Sequence, residues 1–324
     1  MPERFAAAAA LLRQAIAGGA FPAATVEVGR ADGPLWRDAT GRLTYDNDSP
    51  PVDRDTIFDL ASLTKVIATT TLAMRAVDEG RVTLDDPVRQ WLREWRGADR
   101  DAVTIRDLLA HSSGLTAYLP FFRDYTGRFE FEHAIGSLPL EYVPRSQSIY
   151  SDLGFMQLGF ILENAQPSGP AFIGAPGALD PSRSLATQFH RLASSFTAEP
   201  LRVNPPRAWR VRSAPTEVDE WRGRLLAGEV HDENTWALGG AAGHAGLFGT
   251  AAAVGAFARA VLRTIAGEPI VASPETMRTF IRRSEIPGSS RALGWDTMLP
   301  TSSCGTKLSP SSIGHTGFTG TSLW

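Results

Sequence analysis

A chain of 324 residues, 43% hydrophobic and 21% charged, has enough apolar material for one large core or two interleaved ones. Its formal net charge of −3 argues against nucleic acid or an anionic membrane surface as a partner. One cysteine, Cys304, excludes an internal disulfide and any need for an oxidising compartment.

Residues 5–12 form an apolar run, but Glu3 spoils the positive flank of an export signal, and Arg13-Gln14 end the run without a cleavage-like boundary. With Phe5, Leu12 and Ile16 on one side and Gly18-Gly19 behind, the run reads as an amphipathic helix. No stretch approaches membrane-spanning length, so a cytoplasmic protein is expected. Residues 24–29 and 35–40 read as strands about a turn, and 46–55 as a polar loop. A helix opening near Ser62 runs to about Asp78 and stops at Gly80. Leu84-Asp85-Asp86-Pro87 opens another helix carrying Val88, Trp91, Leu92 and Trp95, and Thr104 caps a short one over 105–110. Helices are expected at 151–163, 183–194 and 250–266. Between them, 166–182 holds four prolines and three glycines and reads as a surface loop. Residues 231–249 are glycine-rich, and 316–323 reads as a strand.

Chemistry concentrates in three places: Ser62-Leu63-Thr64-Lys65, Tyr150-Ser151-Asp152 and His315-Thr316-Gly317. In the first, a hydroxyl and an amine three residues apart share a helix face. A serine is a poor nucleophile until a neighbouring base takes its proton, and a lysine serves if burial and nearby cations lower its pKa. Leu60, Leu63, Val66 and Ile67 make that helix look buried, and a buried lysine needs a reason. The plain alternatives are a helix-start serine and a solvated lysine. They weaken because three motifs occur together and in order. No G-x-S-x-G elbow occurs, which removes the α/β-hydrolase route to ester chemistry.

This order of motifs resembles the serine β-lactamase and penicillin-binding-protein superfamily, on its class C and family VIII carboxylesterase side. The segments 77–80, 84–87, 108–115 (Leu-Leu-Ala-His-Ser-Ser-Gly-Leu) and 242–251 (Ala-Gly-His-Ala-Gly-Leu-Phe-Gly-Thr-Ala) look like that family as well. The resemblance implies an α+β fold, an antiparallel sheet flanked by helices, with a mostly helical domain inserted. Residues 1–80 and 235–324 would form the sheet domain and 81–234 the helical one. The family continues past its third motif with more strands and a terminal helix. A C-terminus truncated at Trp324, with an unpaired strand edge, is therefore expected.

The resemblance casts Ser62 as nucleophile, Lys65 as general base or relay, and Tyr150 as the group exchanging protons with the serine and the leaving group. The amides of Ser62 and Phe318 would hold the oxyanion, and Gly317 would let the substrate backbone approach the strand, with Thr316 beside it. Asp152 stands where class C β-lactamases have asparagine; it either holds the Lys65 ammonium or caps the following helix. His315 stands where they have lysine, as in D-amino-acid-directed peptidases and family VIII esterases. An imidazole there can donate a hydrogen bond near Tyr150 but anchors a carboxylate weakly. His111 and His244 read as structural, and His231-Asp232-Glu233 lacks a second ligand cluster, so no metal or organic cofactor is expected. The aromatics from Tyr118 to Phe131 read as packing or an acyl-pocket wall. The function expected is hydrolysis of short-chain carboxylic esters through an acyl-enzyme. The partner is a small-molecule ester or amide, with neither nucleic acid nor membrane. β-Lactamase or DD-peptidase activity is the alternative, and a non-catalytic ligand-binding protein the alternative of another class.

Overall fold

The structure, a computed structural model, describes residues 3–167 and 180–324. Helix α1 (Ala6–Ala17) forms from a run of strong helix formers and ends at Gly19, whose φ of 74° suits glycine. Just ahead of it, Phe5 stacks on Trp36 with ring centroids 5.2 Å apart. Trp36 belongs to an antiparallel hairpin of β1 (Ala23–Arg30) and β2 (Gly33–Gly41). On β1, Glu27 pairs with Arg37 at 2.5 Å and with Arg259 from a late helix, which fastens that helix to the hairpin.

The two-residue strand β3 (Phe58–Asp59) leads through Ala61 into helix α2. This helix winds as a π-helix over Lys65–Thr70 and as an α-helix over Thr71–Asp78. Short helices follow: α3 (Val88–Trp91), α4 (Ile105–Leu109), α5 (Gly127–Ser137), α6 (Asp152–Asn164) and α7 (Leu185–Ala193). Helix α4 starts on the expected Thr104, which exchanges hydrogen bonds with Asp107 in a reciprocal cap. Helix α3 is shorter than its apolar spacing suggests, because Leu92 is extended (φ −119°), yet Val88, Leu92 and Trp95 are all buried. Most of the proline-rich 166–182 lies outside the described residues.

The remainder alternates strands and helices: β4 (Leu201–Val203), β5 (Pro215–Asp219), β6 (Arg224–Ala227), α8 (Glu233–Ala237), β7 (Leu247–Gly249), α9 (Ala251–Ile265), α10 (Pro274–Ile281), β8 (Asp296–Thr297), β9 (Ile313–Thr316) and β10 (Ser322–Leu323). All pairing between these strands is antiparallel, in sheets ordered β1-β2, β3-β7-β4, β5-β6 and β10-β9-β8. The mixed α/β character with antiparallel sheets is as expected. Strands β4–β6 fall within 81–234, beside helices α3 to α7. One detail differs. The strand expected over 316–323 is a tight hairpin, in which Gly317 N–H donates to Thr321 O (2.7 Å) and Gly320 adopts φ 82°. The two glycines permit the reversal, and Leu323 returns to pair with His315.

One continuous apolar core joins α2, α4, α6, α9 and α10. Helix α6 is its axis, since every residue from Leu153 to Leu162 is buried. Between α2 and α6 runs the backbone of residues 243–247, admitted by glycines: Thr69 Oγ1 donates to Gly243 O (2.6 Å), and Leu247 N–H donates to Thr64 Oγ1 (3.0 Å). Among the described residues no helix is long and apolar enough to cross a membrane.

A Cβ on Gly243 would lie 1.9 Å from Phe155 O, so this crossing has no room for a methyl group. Gly243→Ala is expected to lower stability by about 2–4 kcal/mol, more than an exposed alanine substitution would. Urea denaturation beside Gly239→Ala, where an added Cβ meets nothing within 4 Å, checks this. Gly239 also has a positive φ, which sets the local strain expected of an alanine with no steric clash.

Candidate active site

The site is assembled where β3 turns into α2. Ala61 occupies the left-handed region (φ 45°), a strained conformation for a residue with a Cβ, and this bends the chain sharply before Ser62. Three successive bonds of the tight 3₁₀ type follow: Leu63 N–H to Leu60 O, Thr64 N–H to Ala61 O and Lys65 N–H to Ser62 O, each 3.0 Å. Ser62 is left half-buried at the head of the helix and Lys65 is wholly buried one turn on.

The Lys65 ammonium forms an ion pair with Asp152 Oδ1 at 2.7 Å and donates to Ser62 Oγ at 2.9 Å and to His244 O at 3.3 Å. Its nitrogen also lies 4.7 Å from the Tyr150 ring centroid and 5.9 Å from that of Phe155. Burial alone lowers its pKa, but Asp152, followed by Tyr150, outweighs this and raises it above the usual lysine value. The condition under which a lysine serves directly as the base, a lowered pKa, is therefore not met in the resting site. Lys65 rests as a charged ammonium, because a carboxylate sits against it. The two readings of Asp152 are also separated. Ser151, not Asp152, caps α6, its hydroxyl accepting from Gly154 N–H at 3.2 Å. Asp152 is the counter-ion.

Tyr150 lies between three groups. Its ring centroid is 4.7 Å from that of His111 and 5.6 Å from that of His315, and the Arg291 guanidinium sits over its face at 5.0 Å. No carboxylate among the described residues pairs with Arg291. His315 is buried, and its Nδ1 lies 2.7 Å from Thr316 O. Since a carbonyl only accepts, Nδ1 carries the proton and Nε2 presents a lone pair with no partner. Burial, then the nearby Lys65 and Arg291 charges, push the imidazole pKa down to about 3. The expected donor near Tyr150 is corrected to an acceptor in a neutral ring.

Phe318 is largely exposed on the turn between β9 and β10. This turn is tied to β3 by Thr319 Oγ1 donating to Asp59 O (2.7 Å) and Thr321 Oγ1 donating to Leu60 O (3.0 Å). A Cβ on Gly317 would lie 2.6 Å from Leu60 O, so the close approach there is between strands of this chain itself. Among the described residues, the N–H groups of Ser62 and Phe318 donate to no acceptor. Thr316 is exposed beside them.

Two histidines read from sequence as structural adjoin the site. His111 Nδ1 accepts Ser151 N–H (3.0 Å), and its ring packs between Tyr150 and Phe155. Burial, followed by the Arg291 and Lys65 charges, keeps it neutral. His244 Nε2 meets Asp232 Oδ1 at 2.9 Å, while its carbonyl receives Lys65. Their segments were legible as family-like, but nothing in the spacing marks contact with Tyr150 or Lys65. Arg291 lies in no recognisable motif. No group of His, Cys, Asp and Glu among the described residues is arranged to hold a metal. Of the aromatics from 118 to 131, Phe121 and Phe131 are core, whereas Tyr118 and Phe129 are exposed.

Residues 8–324 match the protein family described as Beta-lactamase. The chain belongs to this family. A curated relative from Salmonella gallinarum, named "Putative D-alanyl-D-alanine carboxypeptidase", is 30% identical over 287 residues, 82% of this chain and 66% of its own length. The chain thus spans slightly less than two thirds of that relative. Among solved structures, EstCE1, a hydrolase with promiscuous acyltransferase activity, superposes with a TM-score of 0.72 at 20% identity, over 97% of this chain and 88% of its own. A class C β-lactamase from Rhodobacter sphaeroides gives a TM-score of 0.66 at 20% identity, over 90% of this chain and 75% of its own. These likenesses show the shared fold of the β-lactamase/transpeptidase-like superfamily.

The His315 pKa gives a signed expectation. Between pH 3 and its ordinary value of 6.5, the unfolded chain binds a proton that the folded chain refuses. The resulting stability is fully present above 6.5 and is lost as pH falls towards 3, by up to about 1.4 kcal/mol per pH unit. Melting curves from pH 7.5 to pH 5 should therefore fall more steeply for the wild type than for His315→Gln; parallel curves would count against a neutral buried His315.

Proposed function

We propose that the protein is a serine acyl hydrolase in which Ser62 attacks a carbonyl and forms an ester intermediate. The observation that carries this reading is Lys65 Nζ held 2.9 Å from Ser62 Oγ and 2.7 Å from Asp152 Oδ1. Because Lys65 rests protonated, activation begins with a shift of one proton to Asp152, which leaves a neutral amine to take the proton of Ser62. Tyr150, beside Lys65, returns a proton to the leaving group. The oxyanion is held by the N–H groups of Ser62 and Phe318, which have no acceptor among the described residues. Water then releases the acid by the reverse relay.

Short-chain carboxylic esters are the substrate class that the third motif supports. His315 is neutral and presents a lone pair, so it offers a substrate carboxylate no cationic donor, and Asp152 adds negative charge nearby. Arg291 favours a second reading, a substrate bearing a carboxylate such as a D-alanyl peptide or a β-lactam. Its guanidinium lies over Tyr150 without a carboxylate partner among the described residues, and the Salmonella relative's name points the same way.

Ser62→Ala should abolish turnover and the covalent adduct with a fluorophosphonate while the protein stays folded. Tyr150→Phe and Lys65→Ala should each cost on the order of a hundredfold or more, and Lys65→Ala should also destabilise the protein because Asp152 loses its partner. Retained turnover in Ser62→Ala would remove the nucleophile assignment. The two substrate readings separate in kcat/KM for p-nitrophenyl butyrate, nitrocefin and a D-alanyl-D-alanine peptide. The ester should lead; a higher value for nitrocefin or the peptide would replace the esterase reading. Under the carboxylate reading, Arg291→Gln should lower kcat/KM for the anionic substrates about tenfold or more and leave the neutral ester unchanged.

A further inference from the structure

Asp59 is a buried carboxylate that the proposed reaction does not use. It is the last residue of β3, three positions before Ser62, and is 2% exposed. Its two oxygens hold two different segments. Oδ1 accepts Ala61 N–H at 2.8 Å, inside the strained turn that aims Ser62. Oδ2 accepts His231 N–H at 2.7 Å, on the segment between β6 and α8. Its backbone carbonyl takes the Thr319 hydroxyl from the Phe318 turn. Both amides assigned to the oxyanion thus belong to segments anchored on one residue.

A carboxylate is required for this bridge. Each oxygen of an ionised Asp59 accepts one N–H, whereas an amide side chain turns its own N–H towards one of those donors and a protonated carboxyl accepts more weakly through its hydroxyl oxygen. We infer that Asp59 is a positioning residue for the Ser62 turn, and that its ionisation is what fixes Ala61 and hence the direction of the Ser62 hydroxyl and N–H. The inference rests on the reading of Ser62 as nucleophile for its effect on rate, and on geometry alone for the bridge. The ionisable groups facing Asp59 are His231 and Asp232 on the 230–232 segment. The facing residues of β7 (Leu247–Gly249) and of the 317–321 turn carry no charge. His231 in turn packs on Phe318 at 5.3 Å and has Glu217 3.6 Å from its Nδ1. Burial raises the Asp59 pKa to about 6, against the lowering effect of the two amides. The bridge therefore opens within the range in which enzymes are assayed.

The test pairs a rate with a readout independent of turnover. The rate of Ser62 acylation by a fluorophosphonate is measured from pH 5 to pH 8 in the wild type and in Asp59→Asn. The wild type should lose about tenfold between pH 7.5 and pH 5, with a midpoint near 6. Asp59→Asn should be flat over that range at the wild type's low-pH rate. An Asp59→Asn protein that keeps both the wild-type rate and the acid limb overturns the inference. In parallel, the Ala61 and His231 amide resonances are followed by NMR in Ser62→Ala protein, where no reaction occurs. Both should titrate together with a midpoint near 6; if neither moves between pH 5 and pH 7, the bridge is not ionisation-dependent and the inference falls. Absence of any wild-type adduct would strike the nucleophile assignment, while the amide titration would still decide Asp59. The amide titration also decides it if Asp59→Asn does not fold.

Discussion

A lysine ammonium buried without contact with water is the constraint around which this molecule is built. Such a charge costs several kcal/mol to desolvate and persists only where a counter-charge and further acceptors replace the lost solvent. Here they come from three separate stretches of chain: Ser62 from the same helix, Asp152 from the start of α6, and the carbonyl of His244 from the segment threaded between α2 and α6. Each supplier must be placed to within tenths of an ångström. The cap on α6, the glycine at 243 and the threonine hydroxyls of α2 all serve that placement. The same pairing has a chemical consequence. A lysine stabilised as an ammonium is not a ready base, so the resting site stores its proton in a pair rather than offering an empty amine.

The parts of the site that could be read from sequence were those whose chemistry is local. Ser62 and Lys65 lie one helical turn apart, and the helix that carries them shows its apolar periodicity openly. Tyr150 and His315 stood out because they accompany that pair in a recognisable order. The fold class was legible for the same reason. What could not be read depended on contacts without a local signature, most of them across long stretches of chain. The role of Asp152 was undecidable until Ser151 proved to be the helix cap. The lysine pKa and the His315 tautomer are set by neighbours 87 and 1 residues away, the latter a carbonyl that carries no sequence signature. Arg291 joins no motif and reaches Tyr150 only through the fold. The hairpin at 316–323 was hidden because residues that favour strands, Thr316, Phe318, Thr319 and Thr321, dominate it, while Gly317 and Gly320 allow the reversal.

Several ionisable groups lie at one place: Lys65, Asp59, His244 and His315 are buried, and Asp232 is half-buried. They do not act in the same direction. His315 and Asp232 favour the fold as pH rises out of the acid range, because the unfolded chain takes up protons at these groups more readily. Asp59 opposes them, since its folded form prefers the proton between its ordinary value and about 6. A functional site commonly gives up stability in this way for geometry. In this chain the concession is localised on one carboxylate beside the strained Ala61.

The π-winding of Lys65–Thr70 has a consequence for how this helix can change. A π-turn accommodates one more residue than an α-turn, so the downstream helix is rotated by roughly 100° relative to an uninterrupted α-helix. The front of α2 therefore answers to the Lys65–Asp152 pair, while Leu72, Ala73, Met74 and Ala76 answer to the core, and the two faces are set out of phase with each other. Thr71 Oγ1 donates to Val66 O across this joint at 3.1 Å, covering a carbonyl in the widened winding. Removing a single residue from the π segment would restore the ordinary pitch, but it would turn the core-facing side chains away from their packing. Substitution is thus an open route of variation in this helix, and deletion a closed one.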